Sequence, residues 1–312
     1  MSIETRRVFR LSLTVALALA IAYAMASPLP HLAPIFAWLL TMEPKKPLGL
    51  KGLLVLVAVT ALTTGTGLLI IPLLSDYPAT AILVVLVALF FSTYISVSLG
   101  QVTVGMLLTI GITLISAVGS VSFVAATAVI DALVVAIVIS TLCQWLVYPL
   151  FPEDAGSLEP PAEKVGNEQA LWISLRTTLI VIPVYLVCLT NPMMYTALIL
   201  KSVSLGQQST VVDTRAAAKV LLGSTLMGGV LAILFWFALK LNVSLWMFVL
   251  WMLLVGIGVA AKIYGLRATK YSVDFWSTAL VTMLILLGPA VADSANGKDV
   301  YQAFSVRMSL LV

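Results

Sequence analysis

The chain has 312 residues, 61% hydrophobic and only 10% charged, with a mean hydropathy of +1.12; a soluble domain is roughly 45–50% apolar and about 25% charged. No water-soluble fold buries that much apolar surface, so lipid is the solvent for most of this chain. A cytosolic enzyme, a secreted disulfide scaffold and a nucleic-acid binder are excluded, in spite of a net charge of +4 and a pI near 9.1.

In chain order, apolar segments fall near 10–27, 31–42, 50–74, 79–98, 102–119 and 122–149. A spanning helix needs about 20 mostly apolar residues, so the second segment is short. Thr5–Arg10 resembles a twin-arginine export signal and Ala24-Met25-Ala26 a cleavage site. We read the segment as a retained first span, because its pattern recurs later in the chain. A polar stretch from Pro152 to Gln169, carrying Glu153, Asp154, Glu159, Glu163 and Glu168, reads as a solvated linker. Further spans follow near 171–190, 193–205 (again short), 215–239, 243–262 and 273–291, and a last one begins near 300. It has about half a span's length where the sequence stops at Val312.

Basic residues fix the orientation. Of the 17 Lys and Arg, thirteen fall on one side of this map: Arg6, Arg7, Arg10, Lys45, Lys46, Lys51, Lys164, Arg176, Arg215, Lys219, Lys262, Arg267 and Lys270. Only Lys240 and Lys298 fall on the other, and Lys201 and Arg307 lie within apolar segments. The positive-inside rule then puts the N-terminus and the central linker in the cytoplasm.

The two halves repeat. Arg10, an apolar run and Pro28 match Arg176, an apolar run and Pro192, and a short apolar segment follows in both. Lys51 then leads a helix through Thr60 and Gly65, as Arg215 leads one through Ser224 and Gly229 at the same spacing. The expected fold is therefore an all-α polytopic transmembrane bundle of two parallel six-helix repeats, the last helix incomplete. Residues 1–150 form the first repeat, 151–170 a cytoplasmic linker and 171–312 the second repeat. A seam between such repeats is where transporters place a substrate path, and the short spans are the natural lining of a cavity there.

Few residues carry chemistry. Asp131 sits in the sixth span and Arg307 at nearly the matching place in the twelfth. An intramembrane carboxylate costs roughly 2.5–3.5 kcal/mol on insertion scales. Asp131 is therefore expected to face the bundle interior, either as a proton or cation site or in a buried pair with Arg307. Arg10, Arg176, Lys51 and Arg215 begin helices; they snorkel to the interface or ring a vestibule that attracts organic anions. Lys201, inside the short eighth span, is placed either to snorkel or to meet a carboxylate beside broken-helix backbone. Cys143, Cys188 and the single histidine, His31, make neither a redox pair nor a metal site. No phosphate-binding loop, HExxH or GxSxG is present, so no enzyme chemistry and no cofactor are expected.

The arginine-led first span, the proline-bounded short second span ending near Trp38, the basic-led Gly/Thr helix and their repetition resemble the fusaric-acid-resistance and aromatic-acid-exporter family of bacterial inner-membrane proteins. The chain is most similar to short members without a large cytoplasmic domain. The resemblance implies an inner-membrane exporter of organic anions that works with a periplasmic membrane-fusion (adaptor) protein. It also implies relatedness to six-span plant anion channels, whose dimer corresponds to the two halves here. The expected function is efflux of small organic anions, aromatic carboxylates among them. The alternatives are a passive anion channel and a membrane scaffold without transport. Homo-oligomerisation is left open by the sequence.

Overall fold

The structure is a computed structural model and describes residues 1–153, 166–192, 195, 198–199, 214–295 and 300–311. All regular secondary structure among them is helical. Nine of the described helices are long and apolar enough to cross a membrane, and the protein is an all-α, multi-pass membrane bundle. The first half contains α1 (Ile3–Ala24), α2 (Leu32–Met42), α3 (Leu50–Asp76), α4 (Pro78–Ser98), α5 (Val102–Ile110), α6 (Ser116–Val121) and α7 (Phe123–Val147). The second contains α8 (Asn167–Thr190), α9 (Thr214–Leu241), α10 (Leu245–Ile263), α11 (Val273–Ala295) and α12 (Val300–Leu311). The expected short segment 193–205 lies almost wholly outside the described residues.

Local chemistry sets the helix starts. The Ser2 hydroxyl accepts from the Thr5 amide at 3.4 Å and Glu4 occupies the first turn, so α1 begins at Ile3 rather than near residue 10. Arg6, Arg7 and Arg10 are thus helical and share a register. Ser122 and Ser244 cap α7 and α10 in the same way, each accepting at 3.3 Å. Pro78 opens α4, where its missing N–H costs nothing. Between α5 and α6 one π-helical segment, Gly111–Ile115, keeps the fifth span continuous but locally wider.

The fifth and eleventh spans stand at the centre, with 72% and 78% of the most apolar 18-residue stretches of Thr103–Val121 and Val273–Ser294 buried. On the twelve-segment map expected from the sequence they are the fifth and the eleventh. The two largest contacts between the halves are reciprocal as well. α1 lies along α10 and α4 lies along α8, while α8 stands for α1 and α10 for α4 in chain order. Ser12 and Gly256 allow the first of these approaches: a Cβ on Gly256 would lie 3.3 Å from that of Ser12.

Within each half a glycine brings two spans together. A Cβ on Gly67 of α3 would fall 2.0 Å from the Gly111 carbonyl oxygen in the π-helical segment. One on Gly228 of α9 would fall 2.6 Å from the Ala279 carbonyl of α11. Around the first crossing runs a line of buried hydroxyls. Ser92 and Thr109 are 2.8 Å apart, Thr113 donates to the Thr109 carbonyl at 2.7 Å, and Ser116 meets the Tyr185 hydroxyl of α8 at 3.0 Å. Hydroxyls bonded to the preceding turn or to one another satisfy themselves without water, as hydrocarbon demands.

The short α2 does not line a cavity along its length. Ala37 and Trp38 are fully buried, Trp38 donates to Ser277 of α11 at 2.9 Å, and Ser140 of α7 donates to the Ala33 carbonyl at 2.9 Å. At its last turn Leu40 and Thr41 line one small cavity.

The crossing at Gly67 yields a clean comparison. Overpacking typically costs about 1–3 kcal/mol, and here the obstructing atom is rigid backbone, so Gly67→Ala is expected to lose at least that much. Nothing lies within 4 Å of a Cβ on Gly65, so Gly65→Ala on the same helix is expected to hold or raise stability by about 0.5–1 kcal/mol. Thermal unfolding of both variants in detergent checks this.

Candidate functional site

Arginines three apart on a helix face the same way. Arg7 and Arg10 of α1 do so and meet one carboxylate, Glu153, just past the end of α7. Arg7 donates to Glu153 Oε1 from Nε at 2.8 Å and also from Nη2, and Arg10 Nη2 donates to Oε2 at 2.5 Å. Arg10 Nη1 reaches the Phe151 carbonyl at 3.2 Å, and Arg6 Nη1 the Pro152 carbonyl at 3.1 Å. The Phe9 and Phe151 rings stack with centroids 5.9 Å apart, and the Arg10 guanidinium lies 5.3 Å from the centre of the Tyr148 ring. Side-chain exposure is 3% for Arg10 and 1% for Glu153. Each charge here is held by its partner, because an unpaired ion at such depth is strongly disfavoured.

A small cavity opens beside this cluster, lined by Arg10, Leu40, Thr41, Lys45, Gln144 and Tyr148, with Pro47 at its edge. Its free volume of 10 Å³ has room for about one water molecule. Gln144 donates to Thr41 at 2.8 Å, which fixes its amide on the cavity wall. Lys45 pairs with Glu43 on the exposed turn that ends α2. The α2 and α10 ends meet here too, through a 2.6 Å bond from the Tyr264 hydroxyl to the Met42 carbonyl. Lys262, at the end of α10, sits 3.5 Å over the Trp276 ring of α11. Arg7 and Arg10 of α1, Lys45 just past α2 and Lys262 at the end of α10 thus gather at one end of the bundle, where α7 and α11 also end or begin.

The expected site residues separate as follows. Arg10 is neither snorkelled nor facing an open vestibule: it is buried and paired. Glu153, expected in a solvated linker, is its buried partner. Lys51 is exposed in the first turn of α3, and Arg176 is half-buried in α8 with no ion-pair partner among the described residues. Arg215 falls in the first turn of α9, where side chains lie outside the described residues, as does Lys201 entirely. The pair expected between Asp131 and Arg307 does not form. Arg307 binds Asp293 of α11 at 2.6 Å, while Asp131 is exposed on the outer face of α7. The nearer neighbour of α12 is α11, not α7. The span expected near 273–291 runs on as α11 to Ala295, which places Asp293 in its last turn.

Sequence reasoning missed Arg7, Glu153, Gln144 and Tyr148 as site members. The one available signal was the three-residue spacing of Arg7 and Arg10, which presents two guanidinium groups to one partner.

Residues 7–147 match the model of a family described as a protein of unknown function (DUF2955). The matched stretch contains Arg7, Arg10, Lys45 and Gln144; Tyr148 and Glu153 lie beyond it. No curated protein and no solved structure matches the chain.

The two intramembrane carboxylates should respond oppositely to removal. Asp131→Leu takes a charge off an outward face and is expected to leave stability unchanged or raise it by up to about 3 kcal/mol. Asp293→Leu strands Arg307 and is expected to destabilise, by less than the about 3–5 kcal/mol of a fully buried pair. Thermal melts of detergent-purified variants give both values.

Proposed function

We propose that the protein exports small organic anions, aromatic carboxylates among them, from the cytoplasm across a bacterial inner membrane. The observation that carries this reading is the cavity between α1, α2 and α7. A buried guanidinium, an ammonium, an amide and a phenol converge there in a protein otherwise built from apolar helices. Arginine in a low-dielectric setting with further donors around it recognises a carboxylate in preference to a cation or a neutral solute.

The asymmetry of basic residues supports a cytoplasmic N-terminus, and so a cytoplasmic position for this end of the bundle. Cargo would be drawn to the cationic end, held at Arg10, and released on the far side after the closed seam between halves rearranges. The reciprocal α1–α10 and α4–α8 contacts support two repeats related by an axis along the membrane normal, the geometry in which such a rearrangement is a rocking of one half on the other. The resemblance to fusaric-acid-resistance and aromatic-acid-exporter proteins points to the same cargo and to a periplasmic adaptor that carries it onward.

Purified chain in proteoliposomes is expected to move radiolabelled benzoate, and Arg10→Gln to reduce the initial rate by about tenfold or more, the scale of one charge-assisted bond. Lys201→Ala is expected to weaken transport as well. Benzoate flux equal to that of empty liposomes overturns the reading, and an unchanged rate in Lys201→Ala removes that residue from it.

A further inference from the structure

The segment Phe151-Pro152-Glu153 has the chemistry of the proposed cargo. It presents an aromatic ring, stacked on Phe9, and a carboxylate two residues away, gripped by Arg7 and Arg10 with one oxygen given to each. Both arginines reach it from a single helix, so the two guanidinium groups form a ready-made carboxylate receptor. The cavity beside Arg10 admits about one water. Glu153 holds both guanidinium groups, so a second carboxylate cannot take them while this segment is in place.

The segment belongs to neither helix core. Residue 151 follows the end of α7, and a stretch rich in proline and acidic residues comes next in the sequence. Backbone bonds from Phe151 tie it to the last turn of α7, and the ion pairs, the Arg6 and Arg10 bonds to its carbonyls and the ring stack hold it against α1. The ion pairs and the ring stack are interactions that a free aromatic carboxylate would also make.

We propose that Phe151 and Glu153 are a tethered stand-in for the ligand. They occupy the carboxylate receptor of Arg7 and Arg10 at rest, and a free aromatic carboxylate must displace them to bind. This rests on the anion-export reading and adds to it the regulation of the same site. A tethered competitor lowers apparent affinity by the fraction of time the receptor is free. Removing its charge restores the intrinsic affinity without adding any contact to the ligand.

The test uses the full chain in lipid nanodiscs with benzoate as probe. Calorimetry is expected to show Glu153→Gln binding benzoate about tenfold more tightly than the natural chain, the gain for a receptor free about a tenth of the time. Arg10→Gln is expected to bind it more weakly than either. A second arm needs no variant. A glutamate-specific protease, its products read by mass spectrometry, is expected to cut the natural chain after Glu153 several-fold faster at saturating benzoate, because displacement exposes that bond. If benzoate binds, Arg10→Gln weakens it, and yet Glu153→Gln and the cleavage rate are unchanged, the tethered stand-in is overturned while the anion reading stands. Should Glu153→Gln fail to fold, the cleavage arm decides alone. If benzoate binds neither the natural chain nor Glu153→Gln, the anion reading itself falls and takes the stand-in with it.

Discussion

Hydrocarbon offers no water to any polar group and no hydrophobic drive between helices, and these two facts organise the whole bundle. Helices adhere only where backbones come close or where polar groups meet. The chain supplies the first at Gly67 against Gly111, Gly228 against Ala279 and Gly256 against Ser12. It supplies the second along Ser92, Thr109, Thr113, Ser116 and Tyr185, a row of hydroxyls that is completed across the seam between halves by the α8 tyrosine. Individual bonds of this kind average only about 0.6 kcal/mol in membranes, so their value lies in fixing which faces meet.

The same constraint explains the charges. An ion stays deep inside only with a partner, and the most deeply buried ions among the described residues have one: Arg10 and Arg7 hold Glu153, and Arg307 holds Asp293. Asp131, without one, is turned outward. Because Arg7, Arg10, Lys45 and Lys262 gather at one end, the field there favours anions. Arg10 is where that field meets a shaped, water-poor wall.

Much of the architecture was legible in the sequence, since hydropathy reports directly on the solvent a segment requires. Spans such as 50–74 and 79–98 match α3 and α4 to within a few residues. The π-helical segment was not legible, because no residue type marks the extra backbone bond; it emerges from the contact of Gly111 with Gly67. The site was half legible. Arg10 stood out as a basic residue at a helix start, but linker composition hid Glu153, whose burial depends on its two arginine partners rather than on its neighbours in sequence. The Asp131–Arg307 pairing failed for a related reason: repeat position says which residues are equivalent, whereas contact depends on which helices are adjacent.

In the proposed resting state the basic end of the bundle is a carboxylate receptor whose occupant is the protein's own Glu153. Cryo-electron microscopy of the full chain in lipid nanodiscs at saturating benzoate examines that claim most directly. The account predicts a benzoate carboxylate within hydrogen-bonding distance of Arg10, with the 151–153 segment displaced from it. A map in which Glu153 still holds both arginines, and in which benzoate is bound elsewhere or not at all, would contradict it.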